Sequence, residues 1–309
     1  MYREIKALAS RLLNRPHISA STVDKLPLPF DFGFQEQLIR VQGIQVFVRT
    51  LGRPSNQAVL CWHGFARNGS DFLTLARALS DNFFVICPDT PGRGNSEWIA
   101  ADQYGFSFYQ SLAVDLLKHL NISGRAHWIG TSMGGALGMM MASNPTTRHL
   151  IDRLVINDIG PEVPQDAIER IREYASEARY FADLGEARTY FKTIYASFGD
   201  LSRDEWDRLV VHSLRRLEDG RLTQHYDPQI LARFGGVQNP ALAWIMFSSI
   251  TSPMLVIRGM ESDILTVSIL ERMVDSALFL QKLDIANTGH APFLNSNEQI
   301  QSIRSFLTK

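Results

Sequence analysis

Several features are scarce or missing from this chain, and each scarcity excludes a class of function. It has two cysteines in 309 residues, Cys61 and Cys87, and both lie inside apolar, strand-like runs. Two such residues give no disulfide framework and no thiolate metal cluster; they read as buried free thiols. The formal net charge is -1, so no basic surface for nucleic acid is implied. No apolar run approaches the roughly 20 residues that a membrane-spanning helix needs. The N-terminus has no secretory apolar core, and a cytoplasmic location is expected. No metal-ligand spacing, dinucleotide glycine fingerprint, internal repeat or low-complexity tract occurs, so no cofactor and no metal are expected.

What remains is ordinary globular material, 45% hydrophobic and 20% charged. Residues 1–35 form an N-terminal extension. Ile5, Leu8, Leu12 and Leu13 stand at helical spacing among Arg3, Lys6, Arg11 and Arg15. They suit a helix packed on the body of the chain, with contact to a membrane surface as the second reading. Pro16, Pro27 and Pro29 mark an extended connector. A hairpin turns at Gly43, with Gln37–Val41 and Ile44–Thr50 as its arms. Buried strands are expected over Ala58–Trp62 and Phe83–Cys87, and further strands over His127–Ile129, Leu154–Asn157, Met254–Arg258 and Phe279–Ile285, with helices between them. This alternation argues an α/β fold with a mostly parallel sheet covered on both faces. The core divides into 36–161 and 250–309. Between them, 162–249 shows helical segments and no buried strand, and reads as a helical insertion across the strands' C-terminal edge, where open α/β sheets bind ligands.

The most informative segment is Ile129-Gly130-Thr131-Ser132-Met133-Gly134-Gly135. A short apolar strand runs into G-x-S-x-G, and a helical Ala/Met-rich stretch follows. The serine then sits on a sharp strand-to-helix turn, where glycines at 130 and 134 keep side chains out of a crowded corner. A serine hydroxyl is a weak nucleophile and needs a base. The base needs a carboxylate, and the oxyanion that forms needs N–H donors. His290 follows the last strand in Thr288-Gly289-His290. Asp263 follows the preceding strand, and the order Ser132, Asp263, His290 suits the architecture. Asp158, at the end of an earlier strand, is the alternative acid. The N–H groups of Phe65 and Met133 are the candidate oxyanion donors. His63 and Gly64 order the loop that carries Phe65, and Asp89, Arg93 and Gly94 read as structural.

With these elements in place the chain resembles the α/β-hydrolase family, in its single-lid branch of esterases, C–C bond hydrolases and cofactor-free haloperoxidases. The resemblance is carried by His63-Gly64, Asp89–Gly94 with Ser96, Ser132 in its pentapeptide, Asn157–Pro161, Arg258-Gly259 with Ser262-Asp263, and Gly289-His290. It implies an α/β-hydrolase fold with 162–249 as the lid. A serine at the turn disfavours epoxide and halide chemistry, which the family performs with an aspartate there. The expected activity is hydrolysis of small to medium apolar carboxylic esters, with a small-molecule ester or related carbonyl compound as partner. Hydrolysis of a C–C bond, thioester hydrolysis and perhydrolysis would use the same residues. A small-molecule receptor built on the fold is the alternative of another class. The inserted segment is rich in aromatics, Tyr174, Tyr180, Phe181, Tyr190, Phe191, Tyr195, Phe198, Trp206 and Tyr226, with Trp244 and Phe247 near its end. Many pack it on the core, and a few facing the cleft would line an apolar pocket, without the sequence distinguishing which.

Overall fold

The computed structural model describes residues 33–176, 178–233 and 239–309. The expected N-terminal helix and most of its connector lie outside the described residues. Strand β1 (Gln35–Val41) and strand β2 (Ile44–Leu51) form the opening antiparallel hairpin. Its turn residues Gln42 and Gly43 have φ of 52° and 82°. Two successive positive φ angles are what a two-residue hairpin of native twist requires.

Strands β3 (Gln57–Trp62), β4 (Phe83–Pro88), β5 (Ala126–Thr131) and β6 (Ile151–Asn157) continue the sheet. Helices α1 (Leu73–Leu79), α2 (Phe106–His119) and α3 (Met133–Ser143) connect them. After β6 come α4 (Gln165–Ser176), β7 (Tyr180–Phe181), α5 (Leu184–Ile194), α6 (Arg203–His212), β8 (Leu214–Arg216), β9 (Leu222–Gln224) and α7 (Pro240–Ser248). Strand β10 (Met254–Gly259), α8 (Val267–Ser276), β11 (Leu280–Ile285) and α9 (Asn297–Leu307) complete the chain.

The main sheet has eight strands in the order β1-β2-β4-β3-β5-β6-β10-β11. From β4 onward every pairing is parallel. This is the architecture that the resemblance implies. Successive residues of β3 point to opposite faces, as the strand period of two demands. Leu60 and Trp62 join the core under α2 and α3, whereas Val59 and Cys61 join the core under α1 and α9. Cys61 and Cys87 are buried free thiols. Trp62 stacks on Trp128, with ring centroids 5.4 Å apart. The chain leaves β3 for β4 on one side and then crosses to β5 on the other. That reversal opens a crevice beyond the C-terminal ends of β3 and β5, which positions the site.

The segment between β6 and β10 is not purely helical. Strands β7, β9 and β8 form a separate three-stranded antiparallel sheet. These strands have only two or three residues, too few to show an alternating pattern. The turn signal was present, since Asp219-Gly220 closes β8 onto β9 and Gly220 has φ 85°. Phe181, Leu214 and Leu222 from this sheet pack with Phe191, Tyr195 and Leu209 into a satellite core. The segment is tied to the main body by Gly94 N–H to His225 C=O at 2.9 Å and Asp227 N–H to Gly92 C=O at 2.8 Å. The Tyr104 hydroxyl adds a bond to Asp227 at 2.8 Å.

Candidate active site

Ser132 lies between β5 and α3 with φ 51° and ψ -114°. A non-glycine residue there is strained, and the surroundings must over-determine it. The Ser132 N–H donates to the Asn157 carbonyl at 2.9 Å, and its own carbonyl accepts from Ala136 N–H at 2.9 Å. A Cβ on Gly130 would strike the Gly134 carbonyl, and one on Gly134 would strike the Trp62 carbonyl. Trp128 fixes that corner from below, its indole N–H donating to the Gly134 carbonyl at 2.9 Å. The two glycines therefore allow β5, α3 and β3 to approach closely enough to lift Ser132 into the crevice.

The structure brings His290 to this serine. Its Nε2 is 2.9 Å from Ser132 Oγ. Its Nδ1 is 2.8 Å from Asp158 Oδ2. With Nδ1–H donating to a carboxylate, Nε2 carries the lone pair and accepts the serine hydroxyl proton. The loop holding His290 is braced from the inserted segment. Gly289 N–H donates to the Ser197 carbonyl at 2.8 Å, and Ser197 Oγ donates to the His290 carbonyl at 2.9 Å.

The carboxylate facing His290 corrects the expectation for Asp263. Asp158 follows β6 directly and is fully buried, with φ 60°. Its Oδ1 accepts Gly259 N–H at 2.8 Å, and its Oδ2 also accepts the Ser262 hydroxyl at 2.6 Å. Asp263 instead points outward and is half exposed. It pairs with Arg170 through two bonds of 2.9 Å. Ser262 takes the inward direction at this turn, so its neighbour is turned to solvent. Because β6 and β10 are adjacent and parallel, both aspartates leave the sheet at the same edge. Only the local turn decides which one faces the histidine.

Phe65 follows β3, and Met133 opens α3, where its N–H has no acceptor within the helix. Gly64 lies against Ser132: a Cβ built on it would sit 3.7 Å from Ser132 Cβ. Buried Arg93 braces this loop. Its Nε donates to the Phe65 carbonyl at 2.9 Å and its Nη1 to the Tyr109 hydroxyl at 2.7 Å. His63 does not touch the serine. Its Nδ1 meets the Gly64 carbonyl at 2.7 Å and its Nε2 accepts Thr90 N–H at 2.9 Å. Burial lowers its pKa to about 4, so the ring is a neutral strut at physiological pH. Asp89 is a structural anchor, accepting from Gly69 N–H and from Arg49 at 2.8 Å each.

Ser132, His290 and Phe65 line one cleft. Its other walls are largely apolar, including Phe72, Ile194, Tyr195, Phe198 and Phe293. The charged members are Arg67, Asp71 and Arg170. Arg67 Nε donates to Asp71 at 2.9 Å, and its Nη1 donates to the Ser213 hydroxyl at 2.5 Å. Burial opposes the charge on Arg67, but Asp71 outweighs it and holds the guanidinium's pKa above its ordinary value. Asn157 was not singled out by the sequence as a site residue. Its amide donates to Thr131 Oγ1 at 3.0 Å and to the Pro292 carbonyl at 2.8 Å, joining the serine strand to the histidine loop. Among the described residues, no group of three or more His, Cys, Asp or Glu side chains is placed to hold a metal. Among them too, no helix is long and apolar enough to cross a membrane.

Known proteins share this fold. A family model described as the alpha/beta hydrolase family matches residues 59–300. A 3-hydroxybutyrate-oligomer hydrolase of Cupriavidus necator is 37% identical over 268 residues, covering 83% of this chain and 90% of its own. An alpha/beta hydrolase structure from Novosphingobium aromaticivorans superposes with a TM-score of 0.80 at 29% identity, covering 89% of this chain and 98% of that one. E-2-(acetamidomethylene)succinate hydrolase shares the fold, with a TM-score of 0.79 at 20% identity, covering 89% of this chain and 100% of that one.

Proposed function

We propose that this chain, which belongs to the alpha/beta hydrolase family, is a serine hydrolase of short aliphatic carboxylic esters. The observation that carries the reading is the hydrogen-bonded line Asp158–His290–Ser132, with steps of 2.8 and 2.9 Å. Ser132 Oγ attacks the ester carbonyl carbon as His290 Nε2 takes its proton. Asp158 holds the imidazole in the required tautomer and stabilises the imidazolium. The N–H groups of Phe65 and Met133 receive the oxyanion. Collapse of the tetrahedral intermediate breaks the C–O bond, and His290 returns the proton to the leaving alcohol. Water then adds to the acyl-enzyme by the same route in reverse, giving the free acid and restoring Ser132.

The substrate class rests on two supports. The cleft is lined mostly by apolar residues, which suits aliphatic chains rather than large polar substrates. The Cupriavidus necator relative carries the name of a 3-hydroxybutyrate-oligomer hydrolase, so short oligoesters of hydroxyacids are the leading candidates. The segment between β6 and β10 serves as the lid, contributing Ile194, Tyr195 and Phe198 to the walls. Steady-state hydrolysis of p-nitrophenyl butanoate and of the 3-hydroxybutyrate dimer tests the reading. Ser132→Ala is expected to abolish turnover of both while leaving the thermal transition in place. Turnover equal to wild type in that variant refutes it.

A further inference from the structure

The cleft that holds Ser132 has apolar walls and three charged side chains, and these three are not equivalent. Arg67 and Asp71 satisfy each other at the cleft wall, and Arg67 is further occupied by Ser213 and the Tyr195 ring. Both are largely buried, so exchanging either partner would strand a charge. Arg170 differs on each point. It lines the same cleft from α4, beside Ile171, and its partner Asp263 is not among the lining residues. The ion pair is half exposed, 46% on the Arg170 side and 50% on the Asp263 side. An ion pair that solvated contributes little net stability, so its guanidinium can change partner at small cost. The contact is bidentate, with Nε and Nη2 each 2.9 Å from a different Asp263 oxygen. The fork already presents the geometry that a carboxylate requires.

We propose that Arg170 is the binding site for a free carboxylate at the end of the substrate's leaving group, which displaces Asp263 when the substrate enters. This deepens the ester-hydrolase reading and rests on it. The preferred substrate is then a short linear ester whose alcohol portion is itself a hydroxyacid. The apolar walls hold the aliphatic chain between a scissile ester at Ser132 and an anionic end at Arg170. Hydrolysis releases that end as a free hydroxyacid. Asp263 acts as an internal competitor that occupies Arg170 in the empty site and disfavours neutral esters from exploiting it.

The test separates binding from turnover. In the Ser132→Ala protein, calorimetry measures Kd for the 3-hydroxybutyrate dimer as the free acid and as its methyl ester. Adding Arg170→Ala should reduce the preference for the acid over the methyl ester about tenfold, the size expected for a partly solvated charged contact. Adding Asp263→Asn instead should strengthen binding of the acid more than of the methyl ester. Raising the salt concentration should weaken the acid selectively. Equal affinities for acid and methyl ester, an equal loss of both in the Arg170→Ala background, or no binding of either ligand each overturn the proposal. Failure of the underlying reading looks different: Ser132-independent turnover, or none, in the otherwise unaltered enzyme.

Discussion

Replacing Asp158 by asparagine should disable the enzyme far more than its small change in shape suggests. The carboxylate accepts three hydrogen bonds, from Gly259 N–H, the Ser262 hydroxyl and His290 Nδ1. An asparagine has a single acceptor atom. If its oxygen serves Gly259, its NH₂ faces Ser262 and His290. His290 must then accept at Nδ1 and carry its proton on Nε2, where it confronts the Ser132 hydroxyl as a donor and cannot act as base. In the serine-protease triad, the same loss of tautomer control costs about 10⁴-fold in kcat, or about 5 kcal/mol of barrier. A loss of that order is expected for Asp158→Asn. Asp263→Asn should leave kcat on a neutral ester within about fivefold, because an exposed ion pair contributes no more than about 1 kcal/mol. Stopped or continuous assay of p-nitrophenyl butanoate, with circular dichroism to confirm folding, compares the two. A folded Asp158→Asn enzyme retaining more than about a tenth of wild-type kcat refutes the reasoning, as does an equal collapse in Asp263→Asn.

Three further perturbations probe the supports. Ser262→Ala removes a hydroxyl that donates to the Asp158 oxygen shared with His290, at 2.6 Å. It should lower kcat about tenfold, with KM little changed, and Ser262→Thr should recover part of the loss. Gly134→Ala drives a Cβ into the Trp62 carbonyl; overpacking of this kind costs about 1–3 kcal/mol or more, read as a lower Tm and lost activity together. Burial lowers the pKa of His63 and of His225 from 6.5 to about 4. The unfolded chain binds protons on these rings below pH 6.5 while the fold keeps them neutral. Each ring's contribution, up to about 3 kcal/mol, is therefore complete above that pH and is lost as the pH falls through 6.5 toward 4. Imidazole C–H resonances that remain in the neutral position at pH 5 would support this, and titration near 6.5 would refute it.

The strand alternation, the turn at Ser132 and the strand-end position of His290 were legible because each is written in local residues. Glycines stand where no Cβ fits, and short continuous apolar runs such as Ala58–Trp62 and Phe83–Cys87 stand where the buried strands form. The carboxylate facing His290 was not legible for a geometric reason. Asp158 and Asp263 both follow strands of the same parallel sheet, and the inward turn of Ser262 decides between them. That turn depends on Ile264 and Leu265 N–H groups bonding to Ser262 Oγ at 3.2 and 3.1 Å, which spacing in the sequence does not reveal. The small β7-β9-β8 sheet escaped because its strands are shorter than the pattern that would identify them. Arg170 and Asn157 acquire their places only when the inserted segment and the histidine loop fold across the sheet edge. Arg93 was read correctly as structural, and its bond to the Phe65 carbonyl explains why that role matters to the site.

The central claim is that Ser132 is a nucleophile activated by His290, and covalent labelling tests it most directly. A fluorophosphonate probe should modify the native protein once, with peptide mapping placing the adduct on Ser132 and esterase activity falling in proportion. Ser132→Ala should take up no label. An adduct on a different residue, or a folded and accessible protein that hydrolyses esters without being labelled at Ser132, would contradict the account.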